Sequence, residues 1–384
     1  MKKYIAVLLA LVMVLSLAAC GGSGASSSAP AEETKPATEA PAAAPEASAP
    51  ETPAEPAKVS VDDIPDTMTS ADGVYPIAFV TDVGQLKDHS FNEGIWNGTK
   101  SYAYEHDIAY KYYQPANGDQ ATDDDRYNAM KAAVDGGAEI VVCAGFMAGA
   151  AIEKASTDFP EVKWVYVDGG AYGENTVGIA FKEEQCGYFA GYACVKEGFI
   201  KLGFSGGGSG TTPACCRYGY GFAQGANDAA KELGVQVTMN YSWLYGATFG
   251  PSPELETMLN GWYENGTEVI FPCGGGMYLS CFSAAAANDA WALGVDSDQA
   301  GDSETVLTSA MKGVDSAATW VLGEYFDGNW DTVAGQSVSL GVADDAIKLP
   351  TEESSWRFEH FTVAEYEAMV DALIAGEQIG RAHV

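Results

Sequence analysis

The sequence predicts an α/β protein with two lobes, each containing a mainly parallel sheet covered by helices. After about residue 74, short runs rich in Val, Ile, Tyr and Phe alternate with longer segments at helical spacing. Such alternation is typical of parallel sheets with helices on both faces. The roughly 310 residues of this region exceed what one compact core usually holds, which favours two lobes.

The elements follow from hydrophobic periodicity and from glycines at helix ends. Gly136, Gly234 and Gly294 are predicted to end helices as C-cap glycines. The predicted helices are Phe91–Glu105, Arg126–Gly136, Glu183–Glu197, Tyr218–Leu233 and Tyr278–Leu293. The predicted strands are Pro76–Thr81, Ala109–Tyr113, Glu139–Cys143, Lys163–Val167, Thr176–Ala180, Lys201–Ser205, Val235–Tyr241, Glu268–Pro272 and Val306–Ala310.

Residues 1–20 predict a secretory signal peptide. Lys2 and Lys3 precede the apolar run Ile5–Leu17, which is shorter than the ~20 residues that span a bilayer. The residues Leu-Ala-Ala-Cys that end at Cys20 resemble a bacterial lipobox, in which the Cys is acylated. We therefore expect a lipid anchor at Cys20 and an extracytoplasmic protein attached to the bacterial cell membrane.

The segments outside the lobes differ from them in composition. Residues 21–74 are rich in Ala, Pro, Glu, Ser and Thr, which predicts a disordered tether. Residues 379–384 resemble a translated sequencing adapter and are predicted to be an artefact. The predicted first lobe comprises residues 75–181 plus 297–326, and the predicted second lobe comprises residues 182–296 plus 327–378.

Charge and cysteine content exclude several classes of function. The net charge of −33, with 53 acidic against 20 basic residues, argues against a nucleic-acid partner. With Cys20 assigned to lipid, seven of the eight cysteines remain. An odd number without Cys-x-x-Cys spacing predicts neither a disulfide framework nor a zinc site. We expect no metal and no cofactor.

Acidic residues and glycines follow the predicted strands. Ligands of open parallel sheets bind at the carboxyl ends of strands. These positions therefore predict a polar cleft in which the glycines let the protein backbone come close to the ligand. Ordinary turn chemistry is the alternative explanation for each single position. The positions are Asp82, Gly145, Asp168, Gly206, Gly274 and Asp296.

The loop before the first long helix carries the most informative polar residues. Ser90 and Glu93 have the spacing of a capping box, which predicts a helix start there. Phe91 and Asn92 then occupy the first helical positions, at the carboxyl edge of the sheet. An aromatic ring and an amide suit a flat ligand with hydrogen-bonding edges, although Phe91 could instead pack in the core.

The motif Asp82-Val-Gly-x3-Asp88-x-Ser-Phe-Asn92 resembles the opening of the basic membrane protein, or PnrA-like, family of lipoproteins. This resemblance implies a type I periplasmic-binding-protein fold, with two Rossmann-like lobes joined by crossing hinge segments. It also implies a substrate-binding lipoprotein of an ABC importer, with a permease and an ATPase as partners. Further matching segments are Trp164–Asp168, Phe181–Gln185, Tyr188–Gly191, Arg217–Gly225, Gly294–Gln299 and Leu307–Asp315.

The resemblance implies that the ligand is a nucleoside, with a purine favoured. Phe91 and Tyr218 would stack on the two faces of the base, and Asp82 and Asn92 would meet its edge. Tyr218 stands where the family usually has Phe, so its hydroxyl needs a partner. The residues implied for the ribose and for backbone contacts are Asp168, Asp296, Lys312, Gly274, Gly275 and Gly276.

The sequence also allows other hypotheses about the ligand and the function. Leu244–Pro253 departs from the family, which leaves a sugar or another small metabolite as an alternative ligand. A lipoprotein that senses a ligand and signals to a membrane partner is a second alternative. Gly203–Gly207 matches the G-x-S-x-G of hydrolases, but a loop follows it instead of a helix. We therefore expect a binding protein that acts as a monomer and is not an enzyme.

Overall fold

The computed structural model describes residues 59–66, 69–83 and 85–376. The predicted signal peptide, the lipidation site Cys20, residues 21–58 of the predicted tether and the predicted artefact at 379–384 lie outside these residues. The described chain forms two six-stranded, mainly parallel sheets with helices packed against them. This arrangement confirms the predicted fold class.

The strands and helices alternate along most of the chain. The strands are β1 Ile77–Val80, β2 Tyr110–Tyr113, β3 Ile140–Cys143, β4 Lys163–Val167, β5 Thr176–Phe181, β6 Lys201–Gly206, β7 Thr238–Ser242, β8 Val269–Cys273, β9 Trp291–Asp296, β10 Val306–Lys312, β11 Ser337–Leu340 and β12 Ile347–Lys348. The helices are α1 Phe91–Glu105, α2 Asp123–Asp135, α3 Gly149–Asp158, α4 Glu183–Glu197, α5 Pro213–Leu233, α6 Pro253–Glu264, α7 Tyr278–Ala287, α8 Val314–Phe326 and α9 Val363–Ile374.

The two sheets share one plan. The first lobe has the strand order β11-β5-β4-β3-β1-β2, and the second has β12-β10-β9-β8-β6-β7. All pairs are parallel except β10 with β12. Every residue of the inner strands β1, β3 and β8 is buried, as expected where helices cover both faces of a sheet.

The chain crosses between the lobes after β5, after β10 and after β11. Helix α4 follows β5 of the first sheet but packs on α5 of the second lobe. Helix α8 follows β10 of the second sheet but packs on α1 of the first lobe. The two lobes therefore exchange helices at a hinge, and carboxyl ends of strands from both sheets face one cavity.

The predicted lobe boundaries differ from this path. Strand β10 pairs with β9, so residues 297–312 belong to the second lobe and not to the first. Strand β11 pairs with β5, so residues 337–340 belong to the first lobe. Both strands sit near the edges of their sheets, and hydrophobic periodicity gives no information about which sheet edge a strand joins.

The predicted helix Tyr278–Leu293 is too long. Helix α7 ends at Ala287, and the apolar run that follows forms β9. Asp289 has a φ of 52°, which ends helical geometry. Gly294 is therefore not a helix cap but a strand residue, and a Cβ at this position would collide with Ser309 Oγ.

The predicted disorder of residues 21–74 is wrong for its last part. Ile64 is buried in the core of the first lobe. Asp66 Oδ1 accepts hydrogen bonds from Trp96 Nε1 at 2.8 Å and from Lys100 Nζ at 3.0 Å. Tyr110 Oη donates to the Pro65 carbonyl at 2.6 Å. The folded region therefore includes residues 59–66, which contact the middle of α1 at Trp96 and Lys100.

Candidate functional site

All ten residues predicted to bind ligand line one cavity between the lobes. Its volume is about 1000 Å³ including the open mouth. The carboxyl ends of strands from both sheets, the first turn of α1 and helix α5 bring these residues together. They are Asp82, Phe91, Asn92, Asp168, Tyr218, Gly274, Gly275, Gly276, Asp296 and Lys312.

Two aspartates hold equivalent positions in the two lobes. Asp168 follows β4 and Asp296 ends β9, and these strands occupy the same place in their sheets. Their φ angles are 66° and 65°. Asp is one of the few residue types that adopts this left-handed conformation at low cost. The fold thus places one carboxylate from each lobe at the cavity.

Lys312 connects these carboxylates. Its Nζ lies 2.8 Å from Asp168 Oδ2, 3.5 Å from Glu183 Oε1 and 3.8 Å from Asp296 Oδ1. It also lies 4.6 Å from the centroid of the Phe91 ring. Burial alone would lower the pKa of Lys312, which is 4% exposed, but the three carboxylates override burial and raise it. The side chain is therefore a fixed positive charge.

Glu183 completes the charge cluster from beneath the cavity. It is the first residue of α4 and is fully buried. Its Oε2 accepts a hydrogen bond from Arg217 Nε at 2.6 Å, on the side away from Lys312. Burial raises the pKa of Glu183, against the opposing attraction of Lys312 and Arg217. Glu183 was not predicted from the sequence as a site residue, and its only signal was the family motif at Phe181–Gln185.

The predicted capping box at α1 does not form as expected. The Ser90 hydroxyl makes no bond to the helix N-terminus and donates instead to Asp296 Oδ2 at 2.8 Å. Asp88 accepts the backbone N–H groups of Ser90, Asn92 and Glu93, each at 3.0 Å. Asp88 thus caps the helix and leaves Ser90 free to reach the second lobe. Burial raises the pKa of Asp88 to about 6.

Asn92 orients Asp82. Its Nδ2 donates to Asp82 Oδ1 at 3.1 Å and to Asp88 Oδ2 at 3.2 Å. Arg126 Nε donates to the Asp82 carbonyl at 2.9 Å. A Cβ on Gly145 would collide with Asp82 Oδ2, so only glycine allows this carboxylate its position. Burial raises the pKa of Asp82.

The aromatic residues differ in how far they open to the cavity. Phe91 and Tyr218 both line it, but Tyr218 is only 1% exposed. Its hydroxyl donates to the Ala310 carbonyl at 3.2 Å, which gives the hydroxyl the partner that it needs. Phe146 and the half-buried Phe249 also line the cavity and were not assigned from sequence. Phe249 lies in the segment that departs from the family.

The glycines after β8 make room for the backbone and ring of Phe249, in the loop between β7 and α6. A Cβ on Gly274 would lie 2.9 Å from Phe249 Cδ1. A Cβ on Gly275 would lie 3.0 Å from the Phe249 carbonyl oxygen, and one on Gly276 would lie 3.5 Å from Pro251 Cδ. Gly274 and Gly275 also have φ angles of 144° and 45°. Side chains at Gly274 and Gly275 would therefore displace Phe249, whereas Gly276 has room for a Cβ.

Several other kinds of site are not found within residues 59–66, 69–83 and 85–376. No three His, Cys, Asp or Glu side chains in these ranges are arranged to hold a metal ion. No helix within them has the length and apolar character needed to cross a membrane. Ser205, the serine of the G-x-S-x-G match, is fully buried inside β6, unlike the exposed nucleophile of a hydrolase.

The family follows from a comparison over most of the folded chain. Residues 76–372 match the model of the Bmp family, described as ABC transporter substrate-binding protein PnrA-like. The chain belongs to this family. The resemblance found in the sequence is thereby confirmed, together with the general role of an ABC transporter substrate-binding protein.

Individual relatives agree with this assignment. The ABC transporter nucleoside-binding protein BmpA of Lactococcus lactis subsp. cremoris is 26% identical over 302 residues, which cover 72% of this chain and 82% of the relative. Basic membrane protein B of Borreliella burgdorferi is 28% identical over 238 residues, with coverage of 60% and 67%. A solute-binding protein of an ABC transporter system from Aeropyrum pernix K1 has a TM-score of 0.64 at 20% identity, with coverage of 79% and 92%. That structure shows the shared fold.

Proposed function

We propose that this protein captures a purine nucleoside for an ABC importer. The observation that carries the proposal is the position of Lys312 between Asp168 and Asp296, directly over the ring of Phe91. A hydroxyl-binding charge cluster next to an aromatic ring suits a ligand that joins a sugar to a flat base. The relative from Lactococcus lactis is itself named a nucleoside-binding protein, which supports the same ligand class.

The base would lie against Phe91. Base–aromatic stacking contributes about 1–3 kcal/mol and requires only a flat π-face. Asp82 and Asn92 line the same cavity and are hydrogen-bonded to each other, and they would meet the polar edge of the base. In this proposal Tyr218 contributes to the opposite wall.

The ribose would lie at the charge cluster. Asp168 and Asp296 would accept hydrogen bonds from hydroxyl groups, and Lys312 would donate to a hydroxyl oxygen. A hydrogen bond to a charged group contributes about 1.5–3 kcal/mol. The backbone of Gly274, Gly275 and Gly276 would supply further polar contacts close to the ligand.

The charge of the cavity favours a neutral ligand over a nucleotide. Its described lining contains two lysines, Lys87 and Lys312, against five aspartates: Asp82, Asp88, Asp119, Asp168 and Asp296. Lys87 is already paired with Asp66 and Glu93. The ammonium of Lys312 is already engaged by three carboxylates, so little of its charge is available to a phosphate. A phosphate group would bring further negative charge to these carboxylates and would lose its hydration.

The proposed location and partners follow from the role of a binding lipoprotein that supplies an ABC importer. Acylation of Cys20 would hold the protein at the outer face of the cell membrane, and residues 21–58 would link the anchor to the folded lobes. A permease and an ATPase would receive the nucleoside. The binding protein would act as a monomer.

A thermal-unfolding screen of the purified protein tests the proposal. The panel contains guanosine, adenosine, inosine, D-ribose, D-glucose and several amino acids. A ligand at 100 times its Kd stabilises the folded state by about 2.7 kcal/mol, so a true ligand raises the Tm by several degrees. We expect purine nucleosides to give the largest shift. A shift with a sugar alone, and none with any nucleoside, would contradict the proposal.

A further inference from the structure

Two cysteines line the ligand cavity and have no part in the proposed binding of a nucleoside. Among the described residues, Cys215 and Cys273 belong to the cavity wall, whereas the other free cysteines do not. Cys215 lies in the first turn of α5, and Cys273 is the last residue of β8. The second lobe therefore brings two thiols to the cavity from two different elements.

Helix α5 packs on β8 in a register that places these thiols side by side. The rings of Tyr218 and Phe271 meet edge to face, with their centroids 5.6 Å apart. Cys215 precedes Tyr218 by three residues, so it lies on the same face of α5, one turn nearer the helix start. Cys273 follows Phe271 by two residues, so it lies on the same face of β8, nearer the strand end. Both steps lead toward the cavity, which the start of α5 and the end of β8 both line.

The two thiols differ in their surroundings. Cys273 is fully buried, and burial together with a hydrogen bond to the Cys215 side chain raises its pKa. Cys273 therefore keeps its proton at neutral pH. Cys215 is 5% exposed, so it is the thiol of the pair that a reagent in the cavity reaches first.

We propose that Cys215 and Cys273 form a dithiol that small disulfides oxidise through the cavity, and that a bound ligand shields it. Cys215, as a thiolate, attacks one sulfur of the small disulfide, which releases one small thiolate and leaves a mixed disulfide. Cys273 then gives up its proton and attacks the Cys215 sulfur, which releases the second small thiolate. The two cysteines lose two electrons and two protons, and the small disulfide gains both and becomes two thiols.

The place of this pair in the molecule gives the reaction a consequence for binding. Disulfides form and persist outside the cytoplasm, which is the location proposed for this protein. The small disulfide must enter the same cavity that the ligand fills. Oxidation of the pair and occupation by a ligand therefore exclude each other.

Incubation of the reduced, folded chain with oxidised glutathione tests the inference. Remaining thiols are blocked with iodoacetamide, and peptide mass spectrometry then locates each modification. We expect a cross-link between the peptides that contain Cys215 and Cys273. A chain in which both cysteines stay open to iodoacetamide would overturn the inference.

Two single variants separate the attacking thiol from the resolving thiol. Cys273→Ser is expected to stop at a mixed disulfide between glutathione and Cys215. Cys215→Ser is expected to leave Cys273 unmodified, because the first attack is missing. Glutathione on Cys273 in this variant, or none on Cys215 in the other, would contradict the assigned roles. Thermal unfolding verifies that each variant is folded.

Cys281→Ser is the matched control. Cys281 is fully buried in α7 and does not line the cavity. We expect this variant to form the Cys215–Cys273 cross-link at the rate of the wild type. Loss of the cross-link in this variant would show that the reaction depends on general loosening of the fold, which would overturn the inference.

Guanosine supplies the last arm of the experiment, and only this arm rests on the proposed function. At 100 times its Kd, guanosine leaves about 1% of the cavities empty and should slow cross-linking about 100-fold. If calorimetry shows that guanosine binds and the rate does not change, the route through the cavity is wrong. If guanosine does not bind and the cross-link still forms, the proposed function fails and the dithiol stands.

Discussion

Replacement of Lys312 by Met gives the sharpest test of the charge cluster at the hinge. Its ammonium is buried and lies within 4 Å of Asp168, Glu183 and Asp296. Met has a similar length but no charge, so the variant leaves three carboxylates together with Arg217 as their remaining cation. Removal of one partner from a buried ion pair typically costs 3–5 kcal/mol. We expect a loss of about this size in the free energy of unfolding at pH 7.

The loss should depend on pH in a defined direction. Burial already raises the pKa values of Glu183 and Asp296, and the attraction of Lys312 opposes this rise. Without Lys312 these pKa values rise further. A carboxyl group with a raised folded-state pKa stabilises the protein below its unfolded-state pKa, and this stabilisation is lost as the pH rises through the folded-state value. The deficit of the variant should therefore grow between about pH 4 and pH 7.

Urea unfolding followed by tryptophan fluorescence measures this deficit at each pH. Lys131→Met is the matched control, because Lys131 Nζ lies 2.6 Å from Asp135 Oδ2 but the two side chains are 47% and 63% exposed. An exposed pair of this kind contributes about 0.3–0.5 kcal/mol. A Lys312→Met variant that unfolds within about 1 kcal/mol of the wild type at pH 7 would refute the reasoning.

Three further substitutions test individual contacts. Asp88→Asn should gain up to about 3 kcal/mol of stability relative to the wild type as the pH rises from about 4 to 7. The pKa of Asp88 is raised to about 6, so its ionised form is disfavoured in the folded state. Urea unfolding at both pH values measures this difference, and a difference that does not change with pH would contradict the prediction. Ser90→Ala should lower the unfolding free energy by about 1.5–3 kcal/mol through the lost bond to Asp296, and an unchanged value would show that this bond contributes nothing. Tyr218→Phe should lower the unfolding free energy by about 0.5–1.5 kcal/mol but leave nucleoside affinity unchanged, because the lost hydroxyl bonds to the Ala310 carbonyl. A tenfold fall in affinity, measured by calorimetry, would show that the hydroxyl also contributes to ligand binding.

Local sequence signals predict much of the fold and the identity of the cavity residues. The bounds of α1 and α4 agree with their predicted ranges, because each helix follows a polar turn and carries apolar residues at helical spacing. Asp82, Asp168 and Asp296 were recognisable as residues at strand ends, and the sheet topology gathers such residues at one edge.

The features that sequence reasoning missed depend on contacts between distant parts of the chain. Glu183 meets Lys312 only because the chain crosses between lobes at both residues. The local sequence around Ser90 predicts a helix cap. Its hydroxyl instead bonds to Asp296, a contact that forms only when the second lobe is in place. Phe249 lines the cavity from a loop whose sequence has no periodic pattern, so its position there could not be predicted. Local patterns predict elements, whereas pairing across the hinge comes from tertiary structure.

Calorimetric titration with guanosine, guanine and guanosine monophosphate tests the central claim most directly. The account predicts that guanosine binds best, because its hydroxyls satisfy Asp168 and Asp296 while its base packs against Phe91. Guanine should bind at least about 10-fold more weakly, since loss of one hydrogen bond to a carboxylate costs about 1.4 kcal/mol or more. The monophosphate should also bind more weakly, because its charge meets the carboxylates of the cavity. Tighter binding of the monophosphate, or no binding of any of the three, would contradict the account.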